Sequence, residues 1–569
     1  MKSHASLRMI RWLAGAFCAL AFVVAAHPAA PTIQWNTTLY HPFPTPNGSG
    51  WYQAVQAIAS DTDGDLAAVR VDYLNPSTNS WTAFAWNGGG NGYTNSSDNN
   101  FIQAVGSSPN YGAQTFRAQA SDGASNTTPF IYLVVKPNGT AFTIDDLPVE
   151  PATSRRFMPN AGHRAINSRI LGGVLNNLGG KSGYTVWFKD GTYDFDTGWE
   201  RRMYNSDADF ETYDYYTWNT ANNLSADEAA KCEETPGGQI YYHPGTLGRI
   251  SGCSDITFKA ENTGSAVLKW ASYSSHGTLS PASGELYGLA SGDSRYTHPT
   301  DPRPWPLPGP FITVESSAYD IVFDGLEFEG SYALKTTGSR ADNGSHLRIS
   351  GGYTQVQNCG FAYSPGWSIT VAGAQDTHLD ANTLHNGSGD GINLQDSDGS
   401  WIVGNVITNV GDDAIVLTGD DNHAIWNYIQ QGGWRAFLVH SSTDSEIAYN
   451  TVVSTAGFGV EVSPFEGSQT PATSGLTIAN NAFSGIGSWT KHHEGAYESS
   501  RSIIVLGLTS GVTIEDNTLT RYTGSSGGSA NDWGVRVTSD TNDQNATAIR
   551  SNNTFSGFST GTNDVIVIP

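Results

Sequence analysis

Short apolar runs, each led by an asparagine, recur along the second half of the chain, in steps of 24, 23, 22 and 23 residues, at Asn358, Asn382, Asn405, Asn427 and Asn450. Such a period predicts a solenoid in which each repeat forms one coil. The runs are β-branched and separated by glycine turns, without the leucine framework of a leucine-rich repeat, which favours a right-handed parallel β-helix. Stacked asparagines in its turns would satisfy one another and the backbone. Wider steps to Asn481, Asn517 and Asn553 indicate loop insertions.

The first part of the chain has a different pattern. Residues 31–147 contain short alternating strands separated by polar turns, which predicts an immunoglobulin-like β-sandwich. The β-helix domain is expected over residues 155–569, with Tyr184–Tyr193 as an opening strand and turn. The aromatic and acidic stretch 199–218 shows no apolar period and is predicted to be a long loop.

Residues 1–30 read as a secretory signal peptide, because Arg8 and Arg11 precede an apolar run that is too short for a membrane anchor. No other stretch could span a bilayer, so we expect a secreted monomer. Secretion permits disulfides, and Cys232 with Cys253 is the predicted pair. Cys359 lies inside the repeat and is expected to be a small buried core residue.

The formal net charge of −24 argues against nucleic acid and anionic membranes as partners. Few charges with many glycines and aromatics suit a secreted all-β protein that handles neutral carbohydrate. We expect no required cofactor. Asp61, Asp63 and Asp65 could bind a structural calcium ion through oxygen ligands, although a solvated turn is the plainer interpretation.

Three acids fall at one register of the repeat. Asp390 lies eight residues after Asn382, and Asp413 lies eight residues after Asn405. If each repeat is one coil, these carboxylates stack about 4.8 Å apart, with Asp412 beside them. Like charges stacked without partners destabilise a sheet, so a functional role is favoured over turn filling.

Carboxylates in this arrangement suit an inverting glycoside hydrolase, in which one acid protonates the leaving oxygen and another activates water. Asp390 and Asp413 could hold the water, which leaves Asp412 as the acid. Arg435 is eight residues after Asn427 and could pair with Asp413. The substrate-binding candidates are Trp367, Trp434, Arg435 and Glu461.

A β-sandwich followed by a β-helix with one Asp a coil before an Asp-Asp pair resembles several glycoside hydrolase families. Polygalacturonases share the three aspartates but also carry Gly-His-Gly and Arg-x-Lys markers, which are absent from the coils at 432–436 and 457–462. The dextranase and isopullulanase family 49 is similar with a shorter gap between its acids. The spacing resembles more closely that of family 87, the α-1,3-glucanases and mycodextranases. This resemblance implies catalysis by Asp390, Asp412 and Asp413, and an α-glucan substrate such as α-1,3-glucan or nigeran, cleaved internally.

Two other functions compete with this interpretation. A polysaccharide lyase would need a basic residue for proton abstraction, often a lysine, and no lysine occurs between Lys335 and Lys491. A non-catalytic surface-binding β-helix would use the acids to bind structural calcium.

Overall fold

The computed structural model describes residues 31–35, 43–44, 51–62, 64–75, 78, 80–83, 93–94, 98–106, 114–135, 142–147, 154–157, 164–195, 199–204, 215–218, 239–244, 247–270, 310–330, 345–364, 366–387, 389–462, 473–488, 502–507, 509–524, 533–538, 546–559, 561 and 563–568. The predicted signal peptide, residues 1–30, lies outside this part of the chain. So does Cys232, while Cys253 is a buried free thiol, so the disulfide stays a prediction. None of the described helices is long and apolar enough to cross a membrane.

The described residues divide into two compact units, of which the first comprises those within Met1–Leu74, Trp81–Ser107 and Phe116–Ile131. This part is an antiparallel β-sandwich, as predicted. One sheet contains β1 (Thr32–Trp35), β2 (Phe43–Pro44), β3 (Trp51–Ser60) and β7 (Asp98–Gly106). The other contains β4 (Leu66–Asn75), β5 (Ser80–Ala83), β6 (Tyr93–Thr94), β8 (Gln114–Asp122) and β9 (Ile131–Val135).

The second unit takes in the end of β9 at Tyr132–Val135, and from Ser154 onward it is a right-handed parallel β-helix built from three long sheets. Sheet 1 contains β10 (Ser154–Phe157), β11 (Ser182–Phe188), β17 (Ser254–Ala260), β20 (Tyr319–Asp324), β23 (Gln355–Gln357), β26 (His378–Asp380), β29 (Trp401–Val403), β32 (His423–Ile425), β35 (Glu446–Ala448), β39 (Thr477–Ala479) and β43 (Thr513–Glu515). Sheet 2 contains β12 (Gly191–Phe195), β18 (Ala266–Trp270), β21 (Leu326–Glu329), β24 (Gly360–Ala362), β27 (Thr383–His385), β30 (Val406–Thr408), β33 (Tyr428–Gly432), β36 (Thr451–Thr455), β40 (Ala482–Phe483), β44 (Thr518–Thr520) and β46 (Thr554–Ser556).

Sheet 3 contains β16 (Gly248–Ile250), β19 (Ile312–Val314), β22 (Leu347–Ile349), β25 (Ile369–Ala372), β28 (Ile392–Gln395), β31 (Ile415–Asp420), β34 (Phe437–Thr443), β37 (Val460–Val462), β41 (Ser502–Leu506), β45 (Trp533–Thr538) and β47 (Val565–Ile568), with β38 (Thr473–Ser474) and β42 (Thr509–Ser510) beside them. Side chains alternate in and out along these strands. Each coil therefore sends residues such as Ile392, Leu394, Ile415 and Leu417 into the core, where they are fully buried.

Two helices pack at the ends of these sheets. Helix α1 (Arg164–Asn176) contacts β12 and β16, which stand at or near the start of their sheets, and it buries Ile170, Leu171, Val174 and Leu175. Helix α2 (Ala546–Asn552) contacts β43 and β47, the last strands of sheets 1 and 3. A solenoid exposes its apolar core at both ends unless the ends are covered, and these helices supply such cover. A 3-10 turn spans Ile144–Asp146.

The stretch that was predicted to be a long loop contains strands. β13 (Trp199–Tyr204) pairs antiparallel with β14 (Tyr215–Trp218) and with β15 (Gln239–Pro244). The loop prediction was wrong because it relied on an apolar period. A small sheet outside the coil core does not need such a period, since tyrosine and tryptophan favour strands by themselves.

A ladder of buried asparagines joins the coils. From Asn405 onward, the Oδ1 of each member accepts the backbone N–H and the Nδ2 of the asparagine one coil earlier, at 2.8–3.0 Å. Each Nδ2 also donates to a backbone carbonyl of an earlier coil. The members are Asn382, Asn405, Asn427, Asn450, Asn481, Asn517 and Asn553.

Asn358 is not a member of this ladder, contrary to the repeat read from the sequence. Its φ of 54° places it in the preceding turn, and its Nδ2 donates to Asp324 at 3.2 Å. Cys359 occupies the ladder position, and its N–H donates to Asn382 Oδ1 at 2.9 Å. The thiol is buried as predicted, and burial raises the pKa of Cys359 to about 12. The true period at this coil is therefore 23 residues, counted from Cys359 to Asn382.

Replacing Asn427 by alanine should destabilise the protein by roughly 2–4 kcal/mol, because the buried donors of Asn405 lose their acceptor and Asn450 loses a donor. Urea unfolding followed by circular dichroism measures the loss. Asn553→Ala is the matched control at the end of the ladder, where burial is partial, and it should cost clearly less. Equal effects at the two positions would contradict a cooperative ladder.

Candidate active site

The candidate site lies at the turns that join sheet 2 to sheet 3. On four consecutive coils, one residue lies two positions before a paired strand residue of sheet 3. These are Trp367 before Ile369, Asp390 before Ile392, Asp413 before Ile415, and Arg435 before Phe437. They therefore occupy one register on four consecutive coils. In the sequence, Asp390, Asp413 and Arg435 each follow their ladder asparagine by eight residues.

The stacked residues are connected through the backbone. The N–H of Asp413 donates to Asp390 Oδ1 at 3.1 Å, and the N–H of Arg435 donates to Asp413 Oδ1 at 3.1 Å. Each carboxylate is thus positioned by the main chain of the next coil. This is the stacking that the eight-residue offset predicts.

Three buried carboxylates meet at this point. Asp390, Asp412 and Asp413 are almost completely buried, and each offers an oxygen that lies within 4.8 Å of the other two. Asp412 is anchored by its main chain, whose N–H donates to Gly389 O at 3.3 Å and whose carbonyl accepts the N–H of Trp434 at 3.0 Å. Asp412 therefore belongs to the same turn as Asp413, which it directly precedes.

Close backbone approach builds this turn. A side chain at Gly433 would place its Cβ 2.1 Å from the carbonyl group of Gly411, and a Cβ at Gly389 would lie 3.0 Å from Gly366 and 3.1 Å from Trp367 Cδ1. A side chain at Gly433 would therefore require the backbone to move, whereas one at Gly389 would displace its neighbours by a few tenths of an ångström.

A single guanidinium neutralises part of the cluster. Arg435 Nη1 donates to both oxygens of Asp413, at 3.0 and 3.2 Å, and its Nε donates to Glu461 Oε2. The guanidinium carbon lies 3.2 Å from the centre of the Trp434 ring, in a cation–π contact. The predicted residues Trp434, Arg435 and Glu461 therefore form one group with Asp413, while Trp367 is half-buried on the coil before Asp390.

Sequence reasoning missed Asn393. Its Nδ2 donates to Asp390 Oδ2 at 2.6 Å, and it shares a column on the outer face of sheet 3 with Val416, Leu438 and Glu461. The sequence signal for Asn393 was its position as a polar residue between the core residues Ile392 and Leu394. His440 is half-buried further along β34, and burial lowers its pKa, an effect that the charge of Asp396 opposes and that of Arg435 adds to.

Burial raises the pKa of Asp413 to about 7, and the charges of Asp412 and Glu461 add to this effect while Arg435 opposes it. Four carboxylates share one guanidinium, so the group retains a proton well above the usual range of an aspartate. Because the acids are so close, that proton belongs to the cluster as a whole. A carboxyl group that is protonated near neutral pH is able to act as a general acid.

The predicted calcium ligands lie in the sandwich. Asp61 and Asp65 come together with Asp122, with one oxygen from each within 4.8 Å of the others, and Asp63 lies outside the described residues. Carboxylate oxygens are the ligands that calcium prefers. Burial and the neighbouring charges of Asp61 and Asp122 raise the pKa of Asp65. The donor set fits calcium, and the site stays a prediction.

Comparison with protein-family models matches residues 324–556 to the right-handed beta helix region. A search of curated proteins finds no match. Among known structures, the chain is similar to a family 28 exopolygalacturonase of Yersinia enterocolitica, with 10% identity over 95% of this chain and 99% of that one, at a TM-score of 0.35.

A family 87 α-1,3-glucanase of Streptomyces thermodiastaticus is similar at 11% identity, covering 96% of this chain and 94% of that one, with a TM-score of 0.32. The A-module of a mannuronan C-5 epimerase from Azotobacter vinelandii is similar at 13% identity over 68% of this chain and 86% of that one, also with a TM-score of 0.32. These likenesses assign no activity to this chain.

Replacing Arg435 by methionine should destabilise the protein by about 3–5 kcal/mol at pH 8, because it leaves buried carboxylates without their counter-charge. The loss should be smaller at pH 5. The folded-state pKa of Asp413 is already above its unfolded value, and without Arg435 it rises further, so stability is lost as pH rises from about 4 through the folded pKa. Urea unfolding at both pH values measures this, and Asp413→Asn in the same chain should restore part of the loss. A pH-independent loss would contradict the charge explanation.

Proposed function

We propose that this protein is a glycoside hydrolase whose acid–base chemistry is carried by Asp390, Asp412 and Asp413. The observation that supports this most is the buried cluster of three carboxylates, each with an oxygen within 4.8 Å of the other two, in which burial raises the pKa of Asp413 to about 7. Glycoside hydrolysis needs one protonated and one ionised carboxyl group at the same pH, and such a cluster supplies both.

Within the cluster the hydrogen bonds divide the roles. Asp390 accepts from Asn393 and from the main chain, and Asp413 accepts from Arg435, and these donors stabilise the ionised forms. We assign Asp390 and Asp413 as the bases that hold and activate water, and the proton that burial favours in the cluster is shared between Asp413 and Asp412. Asp412 is the acid that protonates the leaving glycosidic oxygen.

The substrate in this proposal is a neutral α-glucan. Arg435 is the only lysine or arginine between Arg348 and Lys491, and its donors are engaged by Asp413 and Glu461. In this part of the chain no cation is left to bind the carboxylate of a uronate, which disfavours pectin, alginate and the lyase alternative. The α-linkage rests on the resemblance to family 87, with α-1,3-glucan or nigeran preferred and dextran or pullulan next, cleaved internally.

We propose inversion as the stereochemical course, since two stacked carboxylates suit a water held between them. The nearest oxygens of the three acids lie within 4.8 Å of one another. Inverting enzymes usually separate their carboxyl groups by about 6.5–9.5 Å and retaining enzymes by about 5–5.5 Å, so the stereochemical course is tested directly. Proton NMR of the first product distinguishes the two courses, and a retained anomer would require one aspartate to act as nucleophile.

The competing function is a non-catalytic solenoid with calcium at the three acids. Their oxygens are close enough to share a cation. However, both oxygens of Asp413 accept from Arg435, and Asp390 already accepts from Asn393, so a cation would have to displace these donors. A melting temperature that falls with EDTA, together with no reducing ends from any glucan, would favour this function.

Export, by removal of residues 1–30, and a monomeric state belong to the same proposal. A polysaccharide is too large to enter a cell, so its hydrolase acts outside. The Cys232–Cys253 disulfide would then form in an oxidising compartment.

Asp412→Asn and Asp413→Asn should each lower the release of reducing sugar by about 10²–10⁴-fold, because each removes a proton-transfer group. A screen across α-1,3-glucan, nigeran, dextran, pullulan and polygalacturonate measures this and identifies the linkage. Asp398→Asn is the matched control. Asp398 is exposed at the next turn of the coil that carries Asp390, and its oxygen accepts the N–H of Asp420 at 2.9 Å. Retained activity in either cluster variant would remove the aspartates from the mechanism.

The pH profile of kcat/KM should fall on its alkaline side near pH 7, since the acid must remain protonated and the cluster loses its shared proton there. Glu461→Gln removes a negative charge that raises this pKa, so the alkaline limb should move to lower pH. A purely structural role for Glu461 would lower activity at all pH values without moving the limb.

A further inference from the structure

Two exposed aromatic rings lie on consecutive coils, at the turn that joins sheet 1 to sheet 2. Trp426 is 64% exposed and Tyr449 is 51% exposed. Their ring centres are 6.0 Å apart, with an interplanar angle of 40°. The two rings therefore form a row along the solenoid axis and are not part of its core.

The backbone at this turn is unfavourable for aromatic residues. Trp426 and Tyr449 have φ values of 57° and 58°, in the left-handed region. Bulky side chains rarely adopt this conformation, whereas glycine and asparagine adopt it readily. Other coils place small or short polar residues at the same turn, namely Asn358, Ala381, Gly404, Asn480 and Asp516.

Neither burial nor backbone preference therefore accounts for the two rings. A residue kept in a costly conformation without burial is a candidate for function. Exposed apolar groups that lie side by side on a protein surface, unlike scattered ones, mark interaction sites.

Further aromatic side chains flank the row. Trp401, 38% exposed at the start of β29, stacks on His423 with ring centres 4.0 Å apart. Tyr428 is half-exposed, two residues after Trp426. We call Trp401, Trp426, Tyr428 and Tyr449 the aromatic platform.

The charged side chains beside the platform indicate whether its ligand is anionic or neutral. His423 lies between Asp421 at 3.3 Å and Glu446 at 3.2 Å, and both carboxylates are at least partly exposed. Between Arg348 and Lys491 the one lysine or arginine is Arg435, which is held in the carboxylate cluster. The platform thus offers aromatic faces and hydrogen-bond acceptors without a lysine or arginine, which repels anions and complements an uncharged polymer rich in hydroxyl donors.

We propose that the aromatic platform is a second carbohydrate-binding surface, which holds a chain of the neutral α-glucan outside the catalytic turn. The choice of ligand rests on the proposed function. β33, Tyr428–Gly432, runs from the platform turn to the turn that carries Arg435. Five extended residues span about 16 Å, so the platform holds polymer close to the acids but outside the turn that carries them.

The test measures retention of the full chain on particles of α-1,3-glucan and on cross-linked dextran beads, with cellulose particles as the β-linked comparison. All variants carry Asp390→Asn, so that bound glucan is not consumed. Trp426→Asn with Tyr449→Asn should weaken retention on at least one α-glucan by about tenfold. Asparagine suits the left-handed backbone, so the melting temperature should stay the same or rise.

Tyr353→Asn is the matched control, because Tyr353 is 56% exposed with a φ of 55° but lies at a different turn. It should leave retention unchanged. The proposal is overturned if the double variant binds as tightly as its parent, if Tyr353→Asn weakens binding equally, or if the double variant melts at a clearly lower temperature, which would show that the rings are structural. A parent that dimerises in sedimentation velocity, and a double variant that does not, would identify a second copy of the chain as the occupant instead.

Failure of this proposal is distinguishable from failure of the hydrolase function. If the unmodified chain hydrolyses glucan but retention does not depend on the two rings, the platform proposal fails and the hydrolase function stands. If retention depends on the two rings but the unmodified chain does not hydrolyse glucan, the hydrolase function fails and the carbohydrate-binding surface stands.

Discussion

The asparagine ladder sets the register of the whole β-helix. Each asparagine binds the backbone and the side chain of its neighbour, so a coil cannot slip by one residue without leaving buried donors and acceptors unsatisfied. Apolar burial alone would not give this precision, because a short strand with one buried residue tolerates several registers. The side chains that stack along the solenoid do so because the ladder fixes where each coil starts.

The candidate site follows from the same register. Asp390 and Asp413 repeat on a smaller scale what the asparagines do, since each carboxylate accepts the backbone N–H of the next coil, that of Asp413 and that of Arg435. Stacking brings like charges together, which destabilises the fold, and Arg435 offsets only part of this. Burial raises the pKa of Asp413, and the remaining negative charges of Asp412 and Glu461 add to this effect. The same burial of like charges costs stability.

The period of the sequence was sufficient to place Asp390, Asp413 and Arg435 relative to one another, because a constant offset from a fixed ladder becomes a stack in space. It failed at Asn358, where the neighbouring Cys359 takes the ladder position and no periodic signal separates the two. It also missed Asn393, whose role depends on a side-chain contact within one coil. The strands within 199–218 were missed because they lie outside the repeating core.

A solenoid presents any feature that occurs on consecutive coils as a row, spaced by the distance between strands. The carboxylates form such a row at the turns between sheets 2 and 3, and Trp426 with Tyr449 forms another between sheets 1 and 2. A polysaccharide is likewise a linear repeat, and rows of equivalent contacts can bind several of its sugars at once. The two rows are chemically different because their backbone constraints differ. Glycine packing holds the acids in a buried turn, whereas the aromatic turn points outward at positions where the backbone would favour smaller residues.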